Sequence, residues 1–199
     1  MTLCGIVSAS GNSLLPVMIF PRKNFKAFML HGAPEGSLGL ASPSGWMTKE
    51  LFEDVIKHFI THAKPSANNP CILVLDNHES HVNLTALEMA KENYVHVLTL
   101  PPHTSNKTQP LDRSVYGPMK TYFNSAATSW MMQHPAMPIT IYEMAALMGK
   151  AWLQAVTPQN IQSGFRASGV WPFNPHIFTE ADFMPSAVTD RPNPEESVP

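Results

Sequence analysis

The stretch that decides the fold is Cys71-Ile72-Leu73-Val74-Leu75-Asp76-Asn77-His78, an apolar run that stops on a carboxylate. Five consecutive apolar residues between polar loops predict a short strand that is buried on both faces of a sheet. A helix is predicted next, from Leu84 to Glu92, with Asn83 as its N-cap. Tyr94 to Leu100 predicts another buried strand, stopped by Pro101-Pro102. This strand–helix–strand order predicts a parallel pair with a right-handed crossover.

A second carboxylate follows the second strand, at the end of Leu100-Pro101-Pro102-His103-Thr104-Ser105-Asn106-Lys107-Thr108-Gln109-Pro110-Leu111-Asp112. An acid that ends a strand lies at the rim of a sheet, and an acid just after the next strand can share that rim. Asp76 and Asp112 are therefore the candidate catalytic and metal-binding residues. Paired carboxylates bind Mg²⁺ or Mn²⁺, and two such ions can drive phosphodiester cleavage. Such sites normally need a third acid, and none lies on a predicted strand before Asp76.

The segment before this unit predicts a hairpin and one helix. Thr2 to Ser10 and Leu14 to Phe20 have the composition of strands, and Ser10-Gly11-Asn12-Ser13 is a turn signal between them. Pro21 to Ser44 is predicted as a polar connection that contains Gly and Pro. Thr48 then opens a helix whose apolar residues recur at helical spacing.

The last third of the chain is predicted to be helical. Thr140-Ile141-Tyr142-Glu143 is a capping box, and Thr157-Pro158 begins another helix, which Gly169 ends. Trp171-Pro172-Phe173 is expected to pack the carboxy-terminal segment back on the sheet. Pro185 to Pro199 is acidic and proline-rich, which predicts disorder.

Composition limits the function classes. The chain has 199 residues, is 44% hydrophobic and carries 13 basic against 15 acidic side chains, for a net charge of -2. A dedicated nucleic-acid binder is usually basic, so any contact with DNA is expected through a local patch or a module elsewhere. The two cysteines, Cys4 and Cys71, lie in predicted strands and are expected as buried thiols in a reducing compartment. No signal peptide and no membrane span are expected.

Taken together, these sequence segments resemble the DDE superfamily endonuclease domain of the pogo, Tigger and jerky type transposases and their domesticated relatives. The resemblance extends from Thr2 to about Pro175. The most specific matching segments are Leu73-Val74-Leu75-Asp76-Asn77-His78 with His81, Leu100-Pro101-Pro102-His103-Thr104-Ser105, Gln109-Pro110-Leu111-Asp112 with Lys120 beyond it, and Phe165-Arg166-Ala167-Ser168-Gly169-Val170-Trp171-Pro172-Phe173-Asn174-Pro175.

The resemblance implies an α/β, RNase H-like fold: a mixed sheet flanked by helices, in which three acids hold two metal ions against a phosphodiester. Asp76 matches the second acid and Asp112 the third. The first acid belongs on a central first strand upstream of Thr2, so we expect a domain truncated at its amino end, with that strand missing from the sheet. We expect the DDE core over residues 1–135, a carboxy-terminal helical extension over 136–178 and a disordered tail over 179–199.

Each candidate acid has a structural alternative. Asp76 could cap a helix after its strand, and Asp112 could cap the helix that follows it. His78-Glu79-Ser80-His81 is one residue shorter than the zinc motif His-Glu-x-x-His, so zinc is not favoured. His81 is expected instead to orient the loop around Asp76.

Three basic residues flank the carboxylate rim: Lys107, Arg113 and Lys120. They could contact phosphates, or they could be three solvated surface charges. From the resemblance we expect DNA as the partner, a nuclear location, and Mg²⁺ or Mn²⁺ as cofactor, with a homodimer left open. The strand-sized apolar runs predict no membrane contact.

Three functions stay open on the sequence. The first is an enzyme whose full-length form carries the missing acid. The second is a domesticated, non-catalytic nuclear protein that binds DNA or protein. The third is a decayed element or an incomplete gene without a cellular role. Because two carboxylates form a poorly defined Mg²⁺ site, we expect the chain as it stands not to be a competent nuclease.

Overall fold

The computed structural model describes residues 1–76, 78–81, 83–102, 104–179 and 181–182. Within these residues the chain is α/β, with a small mixed sheet and several helices. Its five strands are β1 Thr2–Cys4, β2 Val17–Pro21, β3 Leu38–Ser42, β4 Cys71–Leu75 and β5 Val95–Thr99.

Among the described residues, α-helices and strands are interspersed up to β5, and only helices follow after it. They are α1 Lys49–Ala63, α2 Leu84–Glu92, α3 Ser105–Thr108, α4 Pro110–Ser114, α5 Tyr116–Gln133, α6 Ile141–Ala155 and α7 Pro158–Ala167. Short 3-10 helices cover Ala27–Leu30 and Glu79–His81.

Local capping explains where the main helices begin. The side chains of Thr48, Asn83 and Thr157 each accept a hydrogen bond from a backbone N–H of the helix that follows. Thr140 and Glu143 form the predicted capping box of α6. Gly169 follows α7 with a φ of +70°, a conformation that glycine adopts without strain. These predicted helix starts are confirmed.

The first sheet has the order β1-β2-β3, with β2 in the centre. β1 and β2 pair antiparallel, which confirms the predicted hairpin, while β2 and β3 pair parallel. Side chains alternate between the two faces of a strand, so β2 serves two cores. Val17 and Ile19 pack with α1, whereas Met18 and Phe20 pack with Ala145 of α6 and with Met29.

The second sheet consists of β4 and β5, which pair in parallel as predicted. Its inner face shares the core of the first sheet, through Leu73, Leu75 and Val97 together with α1 and α2. Its outer face is open: Ile72 is 68% exposed and Leu98 55% exposed. The prediction that β4 is buried on both faces is therefore wrong, because helices cover only one face of this sheet in the described structure.

The carboxy-terminal helices form a core of their own against the first sheet. Leu111 of α4, Met119 of α5 and Val115 between these helices pack against residues of α6 and α7, among them Trp152 and Ile161. Leu3 of β1 packs against this cluster. The start of α4, which carries Asp112, is thus held by the helical layer.

Two further expectations are corrected. The segment predicted as a polar connection contains β3, whose Gly39 faces Phe25 and Leu30 so closely that a Cβ would overlap them. Trp171 and Phe173 are exposed and do not pack back on the sheet, because the helical layer over that sheet is filled by α6 and α7. The predicted disorder of Pro185 to Pro199 lies outside the described residues.

Candidate metal and nucleic-acid site

Asp76 follows β4 directly, at the edge where this strand ends. Its Oδ1 accepts the His78 backbone N–H at 3.4 Å and lies 2.9 Å from His81 Nδ1. The same His81 nitrogen lies 3.2 Å from the Asp76 carbonyl oxygen, and the His81 ring contacts Phe52 with 4.7 Å between ring centroids. His81 therefore orients the loop around Asp76, as expected from the sequence.

Asp112 is the third residue of α4, which begins with Pro110 as its first helical residue after the N-cap Gln109. It is therefore not the cap of that helix, and this structural alternative is wrong. Partial burial and the nearby negative charge of Asp76 raise the pKa of the Asp112 carboxyl. The structure thus brings the two predicted acids near enough to repel each other, although they are far apart in sequence.

Contacts with α7 fix the position of α4. Gly164 of α7 lies against the Pro110 carbonyl oxygen, where a Cβ would overlap it. The Ser114 hydroxyl donates a hydrogen bond of 2.6 Å to the Asn160 carbonyl oxygen. Two turns of helix therefore meet backbone to backbone, and Asp112 is placed by a rigid contact instead of by a loop.

Tyr116 is a residue of this region that the sequence did not indicate. Its hydroxyl oxygen accepts the Gly5 backbone N–H at 3.3 Å, which joins α5 to the end of β1. Burial raises the pKa of the Tyr116 phenol, and the charges of Asp112 and Asp76 act in the same direction. Burial and the charge of Asp76 likewise raise the pKa of the Cys4 thiol to about 11. The only sequence signal for Tyr116 is its position, one helical turn after Asp112.

The three predicted basic residues have different surroundings. Lys107 of α3 forms a 2.7 Å ion pair with Asp182. Arg113 is exposed on α4, directly beside Asp112 in the sequence. Lys120 is exposed on α5, at the margin of an open depression of about 270 Å³ whose other lining residues, Leu3, Tyr116, Met119 and Met148, are uncharged. Arg113 and Lys120 are therefore accessible to a large partner, whereas the ammonium group of Lys107 is engaged by Asp182.

A zinc site receives no support. His78 Nδ1 lies 2.8 Å from the Ser80 hydroxyl oxygen, and His81 Nδ1 is occupied by Asp76. Across the described ranges, no group of three or more His, Cys, Asp or Glu side chains could hold a metal ion. Asp76 and Asp112 fit a hard divalent cation by their oxygen chemistry, but as a pair they supply few of the ligands that such an ion takes.

A mixed three-stranded sheet with helices on both faces, beside a parallel pair of strands that ends at Asp76, is compatible with an RNase H-like domain. A protein-family model described as DDE superfamily endonuclease matches residues 1–165. The chain belongs to this family, whose members generally depend on divalent metal ions.

One curated relative is the protein named MFS-type transporter clz9 of Cochliobolus lunatus, which is 30% identical over 179 residues. That alignment covers 89% of this chain and 19% of the relative, so the chain spans about a fifth of the relative's length. No solved structure matches the chain.

Among the helices that the structure describes, none combines the length and apolar character needed to cross a membrane.

Proposed function

We propose that this chain is a nucleic-acid-binding domain derived from a pogo, Tigger or jerky type transposase, and that it acts on DNA in the nucleus. The observation that carries the proposal is the placement of Asp76 at the end of β4 and of Asp112 on α4, where the charge of Asp76 helps to raise the pKa of the Asp112 carboxyl. In a member of the DDE superfamily endonuclease family, such a carboxylate pair is the expected remainder of a metal-dependent strand-cleaving site.

Asp76 and Asp112 would hold a Mg²⁺ or Mn²⁺ ion, which would stabilise negative charge on a phosphodiester and activate a nucleophile when bound. His81 positions Asp76 for that role by engaging Oδ1, and the contact of α4 with α7 positions Asp112. Arg113 and Lys120 are exposed cations on α4 and α5 that could contact the phosphates of a bound strand.

A cleaving site needs a third acid, and we propose that a strand upstream of Thr2 supplies it by pairing between β1 and β4. In the described residues β1 pairs with β2 alone and β4 with β5 alone, so each has one open edge. Cys4 of β1 and Leu73 of β4 pack in the same core. An unpaired apolar edge is costly to leave open, which supports a further strand in the full protein.

A non-catalytic binding protein is the second candidate. It is favoured by the 2.9 Å contact between Asp76 Oδ1 and His81 Nδ1, since a carboxylate oxygen that is engaged by a histidine nitrogen is less available to a cation. In that case DNA binding depends on the basic residues and not on the two acids.

Four measurements on the purified chain separate these functions. Mn²⁺ is expected to raise the melting temperature of the wild type but not of Asp76→Asn or Asp112→Asn. Asp54→Asn, which removes an exposed acid paired with Lys57 on α1, is the matched control and should keep the response. A fluorescent DNA duplex is expected to bind with a Kd of about 10⁻⁴ to 10⁻⁶ M, the usual non-specific range.

The basic residues and the cleavage assay complete the test. Lys120→Met should lower the dependence of log K on log salt by about 0.9, whereas Lys57→Met on α1 should leave it unchanged. Mn²⁺-dependent nicking of supercoiled plasmid is not expected from this chain. Nicking that disappears in Asp76→Asn would show that the site is complete without an upstream strand. Absence of DNA binding in every variant would overturn the proposed function.

A further inference from the structure

The shortest lysine–carboxylate contact of the described residues joins two segments that are far apart in sequence. Lys107 Nζ lies 2.7 Å from Asp182 Oδ1, a shorter distance than in the pairs Lys57–Asp54 and Lys49–Glu79. Lys107 and Asp182 are 75 positions apart, so their contact brings the carboxy-terminal segment to α3, five positions before Asp112.

The Asp182 carboxylate is oriented by Thr179 as well as by the lysine. Its Oδ2 accepts hydrogen bonds from the Thr179 backbone N–H at 2.9 Å and from the Thr179 hydroxyl at 3.0 Å. The Asp182 N–H in turn donates to the Thr179 carbonyl oxygen at 2.9 Å. One carboxylate oxygen is therefore fixed within its own turn of chain, and the other is left to point at Lys107.

We propose that Asp182 occupies the position of a nucleic-acid phosphate at Lys107, so that the carboxy-terminal segment weakens binding of DNA until a phosphate displaces it. The inference rests on the proposed nucleic-acid function. A carboxylate and a phosphate present the same anionic oxygens to an ammonium group. While the pair is closed, the charges of Lys107 and Asp182 cancel, so Lys107 adds no net positive charge to the surface that the DNA backbone would approach.

The ion pair between Lys107 and Asp182 is exposed enough for a competing anion to displace Asp182. Both side chains of the pair are about one-third exposed, and exposed ion pairs are weak enough for a competing anion to replace. Each phosphate that binds a lysine also releases condensed counterions, which favours displacement at low salt. A carboxylate held in this way differs from a structural anchor, because its removal should strengthen binding instead of disturbing the fold.

The test measures duplex DNA binding by fluorescence anisotropy at about 50 mM salt, where phosphate contacts are strongest. Asp182→Asn is expected to bind about two- to fivefold more tightly than the wild type, the range that an exposed pair can contribute. Lys107→Met is expected to bind more weakly. Asp182→Asn added to Lys107→Met should give little further change, since no ammonium is left to release.

The matched control is Asp54→Asn, which removes one negative charge from another exposed lysine–carboxylate pair. If Asp182→Asn gains no more than this control, or gains equally without Lys107, the proposal is overturned and the effect is one of net charge. Melting temperatures show whether each variant is folded.

A second readout needs no nucleic acid. Acetylation of Lys107 by an activated ester, followed by mass spectrometry, should be faster in Asp182→Asn than in the wild type, while acetylation of Lys120 should be unchanged. Unchanged reactivity of Lys107 would show that the ion pair does not form and would overturn the inference. Faster reactivity without DNA binding in any variant would overturn the competition and would locate the failure in the proposed function.

Discussion

β2 and β4 are strands of equal length that carry similar apolar residues, yet they have opposite surroundings. Val17 to Phe20 of β2 are fully buried, because β2 has a paired strand on each side and helices over each face. β4 pairs with β5 alone, and its Ile72 is 68% exposed. The end of the less covered strand carries Asp76.

The comparison shows how stability and chemistry are divided in this domain. The three-stranded sheet places Val17 to Phe20 and Leu40 in the buried core, whereas the two-stranded sheet contributes Val95. The carboxyl end of the two-stranded sheet holds Asp76, whose charge acts on Asp112. We therefore expect substitutions in the two-stranded sheet to lower the free energy of unfolding less than substitutions in the three-stranded sheet.

The largest difference in the free energy of unfolding is expected between two variants, each with one isoleucine replaced by alanine, in β2 or in β4. Ile19→Ala in β2 removes a fully buried side chain and should lower the free energy of unfolding by about 2–5 kcal/mol. Ile72→Ala in β4 removes an exposed side chain and should change it by less than about 0.5 kcal/mol. Urea denaturation followed by circular dichroism measures both. A loss of similar size at the two positions would show that β4 is covered in solution. It would contradict the difference in burial between β2 and β4.

The second effect concerns the helix that carries Asp112. Gly164→Ala would drive a methyl group into the Pro110 carbonyl oxygen, so it should cost about 1–3 kcal/mol, as overpacking does. Gly117→Ala on α5 meets nothing within 4 Å apart from its chain neighbours. The better helix propensity of alanine is opposed there by Pro118, which disfavours helical backbone in a preceding residue with a Cβ, so the net change should be below about 1 kcal/mol. Denaturant titration of both variants compares them. If Gly164→Ala were as stable as Gly117→Ala, α4 would not be held by α7.

Much of the local structure could be predicted from the sequence. The strand Cys71–Leu75 and the helix Leu84–Glu92 have the predicted bounds, because an apolar run and an asparagine cap are signals within a few residues. β3 could not be predicted, since its Gly39 weakens the strand signal and its pairing with β2 depends on the folded structure. The exposure of Ile72 also depends on which elements cover the sheet, which an apolar run does not encode.

The candidate site shows the same limit. Asp76 and Asp112 could be placed together because each follows a strand of a parallel pair, and such strands end at one edge. The contacts that support them come from distant positions: Tyr116 reaches Gly5, and Gly164 reaches Pro110. Asp182 reaches Lys107 across 75 positions. No spacing in the sequence marks these partners, since they meet only after the helices have packed.

The smallest expected effect is a stabilisation by Asp112→Asn, and its sign follows from the raised pKa of this carboxyl. In the interval between the unfolded pKa, about 3.9, and the higher folded pKa, the folded chain holds more protons than the unfolded chain. Stability therefore falls as the pH rises through this interval, and the ionised carboxylate costs stability at neutral pH.

Asp112→Asn should melt slightly higher than the wild type at pH 7, and the two curves of melting temperature against pH should converge at acidic pH. Asp54→Asn, whose acid is paired with Lys57, should show no such gain. A lower melting temperature of Asp112→Asn at pH 7 would mean that Asp112 stabilises the fold. The charges of the two acids would then not destabilise the site relative to the three-stranded sheet.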